Sequence, residues 1–430
     1  MNLLIRSAQL VEQSEDGKAL KLSSSSQDLL IQDGIISRIA DSIEAPKGAE
    51  IVENVSVVSP GWFDTFARFC DPGDEYREDL RTGAAAAAAG GFTGVAILPD
   101  TNPALDTKAD MEYVLGRSRT MSVEVLPMAC VSQGGKGEQL AELIDLNNAG
   151  AVAFCEGDHP IAHPGLLMRA LRYVRPFNGL IINLPQEPSL VGKGEVHEGL
   201  VSTRMGFPGT PVLAETLMIQ RDIGILRYVG GRLHFPTVSS REGVELIRCA
   251  KAEGLAITCG VAAYQLMLDE SHTATYDSNF KVRPPLRSAD DRESLVEGLL
   301  DGTIDLVCSA HIPQHEDCKK LEFEYANPGI NGLETTFSNL WMAIKDRGAD
   351  LADVSRWLSH NPRKLFGQEI PQIKEGQKAN LTLLDEQASW IPESLKSRSS
   401  NNPFLGKELQ GCVRGMIRDD QFELNEPLAV

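Results

Sequence analysis

One stretch near residue 60 decides how this chain is read: Ser59-Pro60-Gly61-Trp62-Phe63-Asp64-Thr65-Phe66-Ala67-Arg68-Phe69-Cys70-Asp71-Pro72-Gly73. A Pro-Gly pair leads into an apolar strand that ends at Asp64. Phe66 and Arg68 follow at alternate positions. Neither side chain binds a divalent metal, because a phenyl ring has no lone pair and a guanidinium is a permanent cation. The stretch therefore keeps one possible metal ligand, Asp64, and lacks ligands at the two alternate positions that follow it.

Outward from this stretch, short apolar runs alternate with helical patterns. Glu78–Gly90 is predicted as a helix, because the alanines at 84–89 favour helix and Gly90-Gly91 ends it. The strand–helix alternation continues for about 300 residues and predicts an α/β fold, a (β/α)8 TIM-like barrel over residues 57–369. The other predicted strands are Gly94–Leu98, Val123–Ala129, Ala151–Phe154, Leu180–Asn183, Arg232–Phe235, Ala256–Cys259 and Asp305–Cys308. The other predicted helices are Gln139–Asn147, Pro164–Val174, Val212–Val229, Arg241–Ala252 and Asp290–Asp301.

Both ends of the chain have a different pattern, with short strands and turns. Leu3–Ile5, Asp28–Ile31 and Gly34–Ile39 precede the barrel, and Ala379–Leu384 follows it. The Asp33-Gly34 pair predicts a hairpin turn. We expect residues 1–56 and 370–430 to pair as one small β-sandwich domain beside the barrel.

Composition narrows the classes of function. The chain has 430 residues, 42% hydrophobic and 23% charged, which is ordinary for a globular protein. Its net charge of −19 argues against a nucleic-acid partner. No apolar run reaches the ~18 residues of a membrane span. Met1–Leu10 lacks a charged region followed by a long apolar core, so we expect no export. The eight cysteines are scattered without a Cys-x-x-Cys pair, which favours reduced thiols and a cytoplasmic location.

Several segments together resemble dihydroorotase of the bacterial type that also occurs in multifunctional pyrimidine enzymes. Their order and spacing over nearly the whole chain carry the resemblance. They are Pro60–Asp64, Asp71–Leu80, Thr82–Ala84, Ala88–Thr93, Leu98–Pro103, Ala214-Glu215, Arg221–Ile223, Pro284–Arg287, Gly329–Thr335, Asn361-Pro362 and Asn402–Phe404 with Gly406.

The resemblance implies a zinc centre whose ligands this chain lacks. Asp64 matches a family ligand, and Glu156 falls near a metal-bridging aspartate. The four histidine ligand positions carry Phe66, Arg68, Leu184 and Thr237. The catalytic aspartate that would move a proton is replaced by Ala310. Because two carboxylates without an imidazole hold zinc poorly, we expect no zinc and no other cofactor.

The substrate-binding positions implied by the resemblance are also altered. Cys70 stands at the arginine that would grip the substrate carboxylate. Asp100 and Arg283 each replace an asparagine, and His311 lies next to the lost aspartate. We expect His311 to be a satisfied strand-end histidine. We also expect Arg68 to pair with Asp64 or Glu156, since a buried carboxylate needs a partner.

Three functional hypotheses follow. The first is a non-enzymatic dihydroorotase-like scaffold, which the family implies would assemble with aspartate carbamoyltransferase and itself form a homo-oligomer. The second is an active dihydroorotase or another cyclic-amide hydrolase with relocated groups, including a thiolate site near Cys70, Cys155 and Cys308. The third is a metal-free structural protein of the dihydropyrimidinase-related kind. The Glu78-Asp79 and Pro284–Arg287 segments favour the first hypothesis over the third.

Overall fold

The computed structural model describes residues 2–14 and 19–425. In this part of the chain, eight parallel strand positions form the barrel. Closure comes from the backbone of the first strand, where Ala67 bridges to His311 and the Arg68 N–H donates to the His311 carbonyl at 2.8 Å. The predicted fold class is confirmed. The barrel strands are Trp62–Ala67, Phe92–Ile97, Glu124–Pro127 continuing into Ala129–Cys130, Phe154–Cys155, Leu180–Ile182, Arg232–Phe235, Ile257–Ala262 and Leu306–Cys308.

Helices connect successive barrel strands. The helix after the first strand begins at Leu80, because the Asp79 carboxylate accepts the Thr82 N–H at 2.7 Å, and it ends before Gly90. Its alanines have side chains small enough to pack closely against neighbouring elements. The α-helices are Leu80–Ala89, Lys108–Ser118, Leu143–Asn148, Pro164–Val174, Pro188–Val191, Leu200–Met205, Leu213–Val229, Arg241–Ala252, Ala289–Leu300, Glu316–Lys319, Thr336–Ile344, Leu351–Ser355 and Asn361–Phe366.

One predicted helix is shorter than expected. The pattern predicts helix over residues 139–147, but the structure begins that helix at Leu143. Leu140 instead bridges to Ser132, and the Ala141 N–H donates to the Val131 carbonyl at 2.9 Å. Pairing with the end of the third barrel strand therefore overrides helix propensity. No helix in the described ranges is both long and apolar enough to cross a membrane.

Both termini contribute to a single nine-stranded sheet. Val57–Pro60 links its two halves, since this strand runs parallel to Asn2–Gln13 and antiparallel to Asn380–Trp390. The buried face holds residues from both ends, including Leu3, Leu29 and Leu381. The other strands of this sheet are Leu20–Leu22, Gln27–Gln32, Ile35–Ala40, Glu50–Val52, Leu409–Arg418 and Gln421–Leu424.

Candidate functional site

The candidate site lies at the barrel mouth, which we define as the carboxyl ends of the eight barrel strands. Asp64 is on the first strand and is fully buried. Its carboxylate accepts the backbone N–H and the hydroxyl of Ser309, both at 2.7 Å. Burial raises the pKa of Asp64, although the two Ser309 hydrogen bonds oppose that rise. Both oxygens of Asp64 are thus engaged by the end of the last barrel strand.

Arg68 forms an ion-pair cluster with two aspartates at the barrel mouth. Its side chain is buried, and one terminal nitrogen contacts the carboxylates of both Asp100 and Asp158, the latter at 2.7 Å. The predicted partners were wrong: the guanidinium pairs with neither Asp64 nor Glu156. Burial disfavours the charge on Arg68, but the two aspartates outweigh it and raise the pKa of the guanidinium. Arg68 in turn holds the pKa of Asp158 well below its usual range despite burial.

Glu156 lies beside this cluster and is also buried. One of its oxygens accepts the Ser132 backbone N–H at 2.8 Å. The other has no hydrogen-bond partner in the described part of the chain. Burial raises the pKa of Glu156 to about 7, and the Ser132 hydrogen bond lowers it only in part. A neutral carboxyl group is therefore accessible near neutral pH.

The oxygens of Asp100 and Asp158 and a ring nitrogen of the exposed His159 lie within 4.8 Å of one another, close enough to share one metal ion. The Arg68 guanidinium already bonds both aspartates. A divalent ion held by these three residues would have to displace that guanidinium. The cation that this cluster holds is therefore supplied by the chain itself.

The other three positions at which metal-binding histidines were expected carry side chains without an imidazole. Phe66, Leu184 and Thr237 are all buried, and Phe66 packs in the barrel interior with Leu98 and Ala310. The Thr237 hydroxyl has no hydrogen-bond partner among the described residues. These side chains fill the mouth where the resemblance implies histidines.

The expected substrate positions differ in their exposure to solvent. Cys70 is buried, whereas Arg283 is exposed to solvent. Ala310 is buried with φ of 44°, in the left-handed region that disfavours residues with a Cβ. Burial raises the pKa of the Cys70 thiol to about 12 and raises those of Cys155 and Cys308 well above their usual value. These neutral thiols do not support a thiolate site.

His311 is buried, but neither ring nitrogen has a hydrogen-bond partner among the described residues, so the prediction of a satisfied histidine was wrong. It has instead an ionisable neighbour that the sequence did not predict. Its Nε2 lies 3.4 Å from a carboxylate oxygen of Glu78, and both side chains are almost fully buried. Burial would raise the pKa of Glu78, but His311 and the hydroxyls of Ser397 and Thr82 outweigh it and lower that pKa. Glu78 also accepts the Arg398 backbone N–H at 3.1 Å, so the segment around residue 398 contacts the residues just before the Leu80–Ala89 helix.

Comparison with known proteins places this geometry in a family. A family model described as Dihydro-orotase-like matches residues 56–243. A dihydroorotase from Citrifermentans bemidjiense is 36% identical over 426 residues, covering 97% of this chain and 99% of that protein. One from Pelobacter propionicus is 37% identical over 422 residues, covering 97% and 98%. This chain belongs to the dihydroorotase family.

Solved structures support the fold of this family member. An L-hydantoinase from Arthrobacter aurescens superposes with a TM-score of 0.83 at 21% identity, covering 100% of this chain and 97% of that one. A dihydropyrimidinase from Brevibacillus agri gives 0.80 at 19% identity, covering 100% and 96%. At these identities the likeness concerns architecture, a barrel with an attached β domain.

The sequence did not predict the role of three residues of the site in this family member. Asp158, Ser309 and Glu78 are the partners of Arg68, Asp64 and His311. Asp158 follows Glu156 by two residues, and Gly157 between them has φ of 71°. An acid next to a turn glycine beside an expected metal position was the available signal. Ser309 and Glu78 gave no such signal, since their contacts join segments more than 200 residues apart.

Proposed function

We propose that this member of the dihydroorotase family serves pyrimidine biosynthesis as a non-catalytic scaffold for aspartate carbamoyltransferase. The observation that carries the proposal is the bond of Arg68 to Asp100. Both residues depart from the family pattern, the first at a histidine and the second at an asparagine. The charges of Arg68 and Asp100 neutralise each other, so an ion pair stands where the family has a metal-binding histidine.

The residues at the mouth do not fit the zinc ion expected for the family. Asp64 is committed to Ser309, and Asp100 and Asp158 are committed to Arg68. Ala310 offers no proton acceptor. Hydrolysis of a cyclic amide near neutral pH needs an activated water, a polarised carbonyl and a proton shuttle. We therefore expect the protein to lack dihydroorotase turnover and stoichiometric zinc.

Turnover and metal content test the catalytic half of the proposal. Purified protein is incubated with excess zinc, dialysed and analysed for metal, then assayed in both directions with dihydroorotate and with N-carbamoyl-aspartate. The dihydroorotase of Citrifermentans bemidjiense, prepared in the same way, serves as the positive control. Far less than one zinc per chain and no turnover above background are expected. Zinc-dependent turnover near that of the control would refute the proposal.

Co-expression tests the scaffold half. The chain and the aspartate carbamoyltransferase of the same cell are expressed together and separated by size-exclusion chromatography with light scattering. We expect one stable complex, and a homo-oligomer of this chain when it is expressed alone. A specific interface of this kind buries on the order of 1,200–2,000 Å². Separate elution at micromolar concentration, with the transferase fully active alone, would argue against the scaffold.

An active hydrolase is the second candidate. It is favoured by relatives named dihydroorotase at 36% identity and by the closeness of Asp100, Asp158 and His159. In that case zinc would displace Arg68, and His159→Ala would abolish both zinc binding and turnover. The dihydropyrimidinase-related structural protein is less well supported, because the likeness to hydantoinases lies in the fold alone.

A further inference from the structure

An apolar surface outside the candidate site lies on three connections that follow barrel strands at the mouth. Its most exposed side chains are Tyr325, Leu200, Tyr276 and Leu321, at 66%, 62%, 51% and 46% of full exposure. Large apolar side chains exposed together on one face are uncommon on monomeric proteins and mark interaction sites. We call this surface the aromatic patch and define it as Leu200, Phe207, Tyr276, Leu321 and Tyr325. The ring of Phe323 is buried and packs against Phe207.

Ring contacts make the aromatic patch continuous across the three connections. The Phe207 ring stacks on Phe323 with centroids 5.4 Å apart and meets Tyr276 edge-on at 5.8 Å. The Tyr276 hydroxyl donates to the Met205 carbonyl at 3.3 Å. Phe207 therefore joins the exposed Tyr276 to the buried Phe323, and Tyr325 follows Phe323 by two residues in the chain.

Two buried lysines hold the backbone of these connections in place through hydrogen bonds. The Lys281 ammonium donates to the carbonyls of Phe323 and Glu324, both at 2.9 Å. The Lys319 ammonium donates to the Ser278 carbonyl at 2.6 Å and the Asn327 carbonyl at 3.0 Å, which joins two of the connections. Lysines are rarely buried unless they are paired. A surface held in this way loses little conformational freedom when a partner binds.

The charge around the aromatic patch indicates the kind of partner. Residues 195–207, 269–277 and 316–325 contain nine acidic and three basic side chains. Of the bases, Lys319 is buried and Lys320 is paired with Glu316. Of the acids, Glu195 is paired with Lys281 and Asp269 with Arg292. Six acids and one exposed base, Arg204, remain outside these pairs. An acidic rim around an apolar centre attracts a basic protein surface and repels a second copy of itself.

We infer that the aromatic patch binds a partner protein whose surface has an apolar centre within a basic rim. The inference rests on the proposed function, in which that partner is aspartate carbamoyltransferase. The acidic rim steers the encounter, and the aromatic centre supplies the affinity, as tyrosines do at the centres of many interfaces. Self-association is assigned to another face, because two acidic rims repel each other.

Matched tyrosine variants test the inference. The double variant Tyr276→Ser/Tyr325→Ser removes exposed rings from the aromatic patch. Tyr228→Ser is the control, since this tyrosine is 77% exposed and lies on the Leu213–Val229 helix at the side of the barrel. Affinity for the co-purified transferase is measured by biolayer interferometry, and thermal unfolding checks that each variant folds. We expect the double variant to weaken binding at least tenfold and the control to change it less than twofold.

Charge reversal gives a second, independent readout. Glu322→Lys/Glu324→Lys is expected to slow association at least threefold at low salt. Glu44→Lys/Glu50→Lys, two exposed positions in and just before the Glu50–Val52 strand, is not. If the wild-type protein binds the transferase and both patch variants bind equally well, the inference is wrong and the proposed function stands. If the wild-type protein does not bind the transferase at all, the proposed function fails and this assignment of the partner fails with it.

Discussion

Replacing Arg68 by methionine keeps much of the side-chain volume and removes the only charge that bonds both Asp100 and Asp158 in the described cluster. Breaking a buried ion pair by deleting one partner costs about 3–5 kcal/mol, because the remaining charge is left without compensation. The Asp100 and Asp158 side chains are 12% and 23% exposed, so some hydration offsets the loss. We expect the free energy of unfolding to fall by about 3 kcal/mol at pH 8.

The cost of the Arg68 replacement should depend on pH. Once the guanidinium is gone, protonating Asp100 or Asp158 relieves the unpaired charge. The difference in unfolding free energy between wild type and Arg68→Met should therefore shrink as pH falls from 8 to 4. Urea denaturation followed by tryptophan fluorescence at several pH values measures both effects.

Two comparisons make this test specific. The triple variant Arg68→Met/Asp100→Asn/Asp158→Asn removes all three charges and should recover most of the lost stability. Arg347→Met breaks an exposed pair with Glu293 and should cost less than about 1 kcal/mol. The reasoning is refuted if Arg68→Met costs no more than Arg347→Met, or if the triple variant is no more stable than the single one.

Three further outcomes are expected. The pKa of Glu78 is lowered in the folded state, so Glu78 stabilises the protein above its unfolded pKa of 4.5, and this contribution is lost as pH falls through the folded pKa. Glu78→Gln should therefore be less stable than wild type at pH 7 and should lose less stability in acid. Denaturation from pH 7 to 3 measures both effects. Ala310→Asp should give no turnover with added zinc, since restoring the carboxylate leaves Arg68 in place; zinc-dependent product formation in a chromatographic assay would contradict this. Asn401→Ala should destabilise the protein by about 2–3 kcal/mol in thermal unfolding, because the Asn401 amide hydrogen-bonds the backbones of Ile312, Gly329 and Gln314. The control Ser400→Ala, at the exposed neighbouring position, should change stability by less than about 0.5 kcal/mol.

Local sequence features predicted much of the fold. The helix predicted over residues 241–252 has those bounds in the structure, and that predicted over 212–229 begins one residue later. The Arg241–Ala252 helix also has a side-chain cap, since the Ser240 hydroxyl accepts the Gly243 N–H, whereas the Leu213–Val229 helix has none. The helix predicted over 139–147 begins only at Leu143, because Leu140 pairs with Ser132 just after the third barrel strand, and helix propensity alone does not show this pairing.

The sequence likewise predicted one part of the candidate site and not another. The absence of imidazole at Phe66, Arg68, Leu184 and Thr237 can be read directly from the sequence, since ligand chemistry belongs to the side chain itself. The partner of Arg68 could not be read in this way. Asp64 on the first barrel strand and Glu156 after the fourth were plausible acids, but the structure brings Asp100 and Asp158 to the guanidinium instead.

The sequence by itself determined the family, the alternation of strands and helices and the chemical types of the residues at the barrel mouth. Each of these follows from residue identity and local spacing. Only the tertiary structure decided that Arg68 neutralises Asp100 and Asp158, that Glu78 meets His311, and that three separate connections form one aromatic patch. These contacts join residues far apart in the chain, and their geometry depends on how the whole barrel closes.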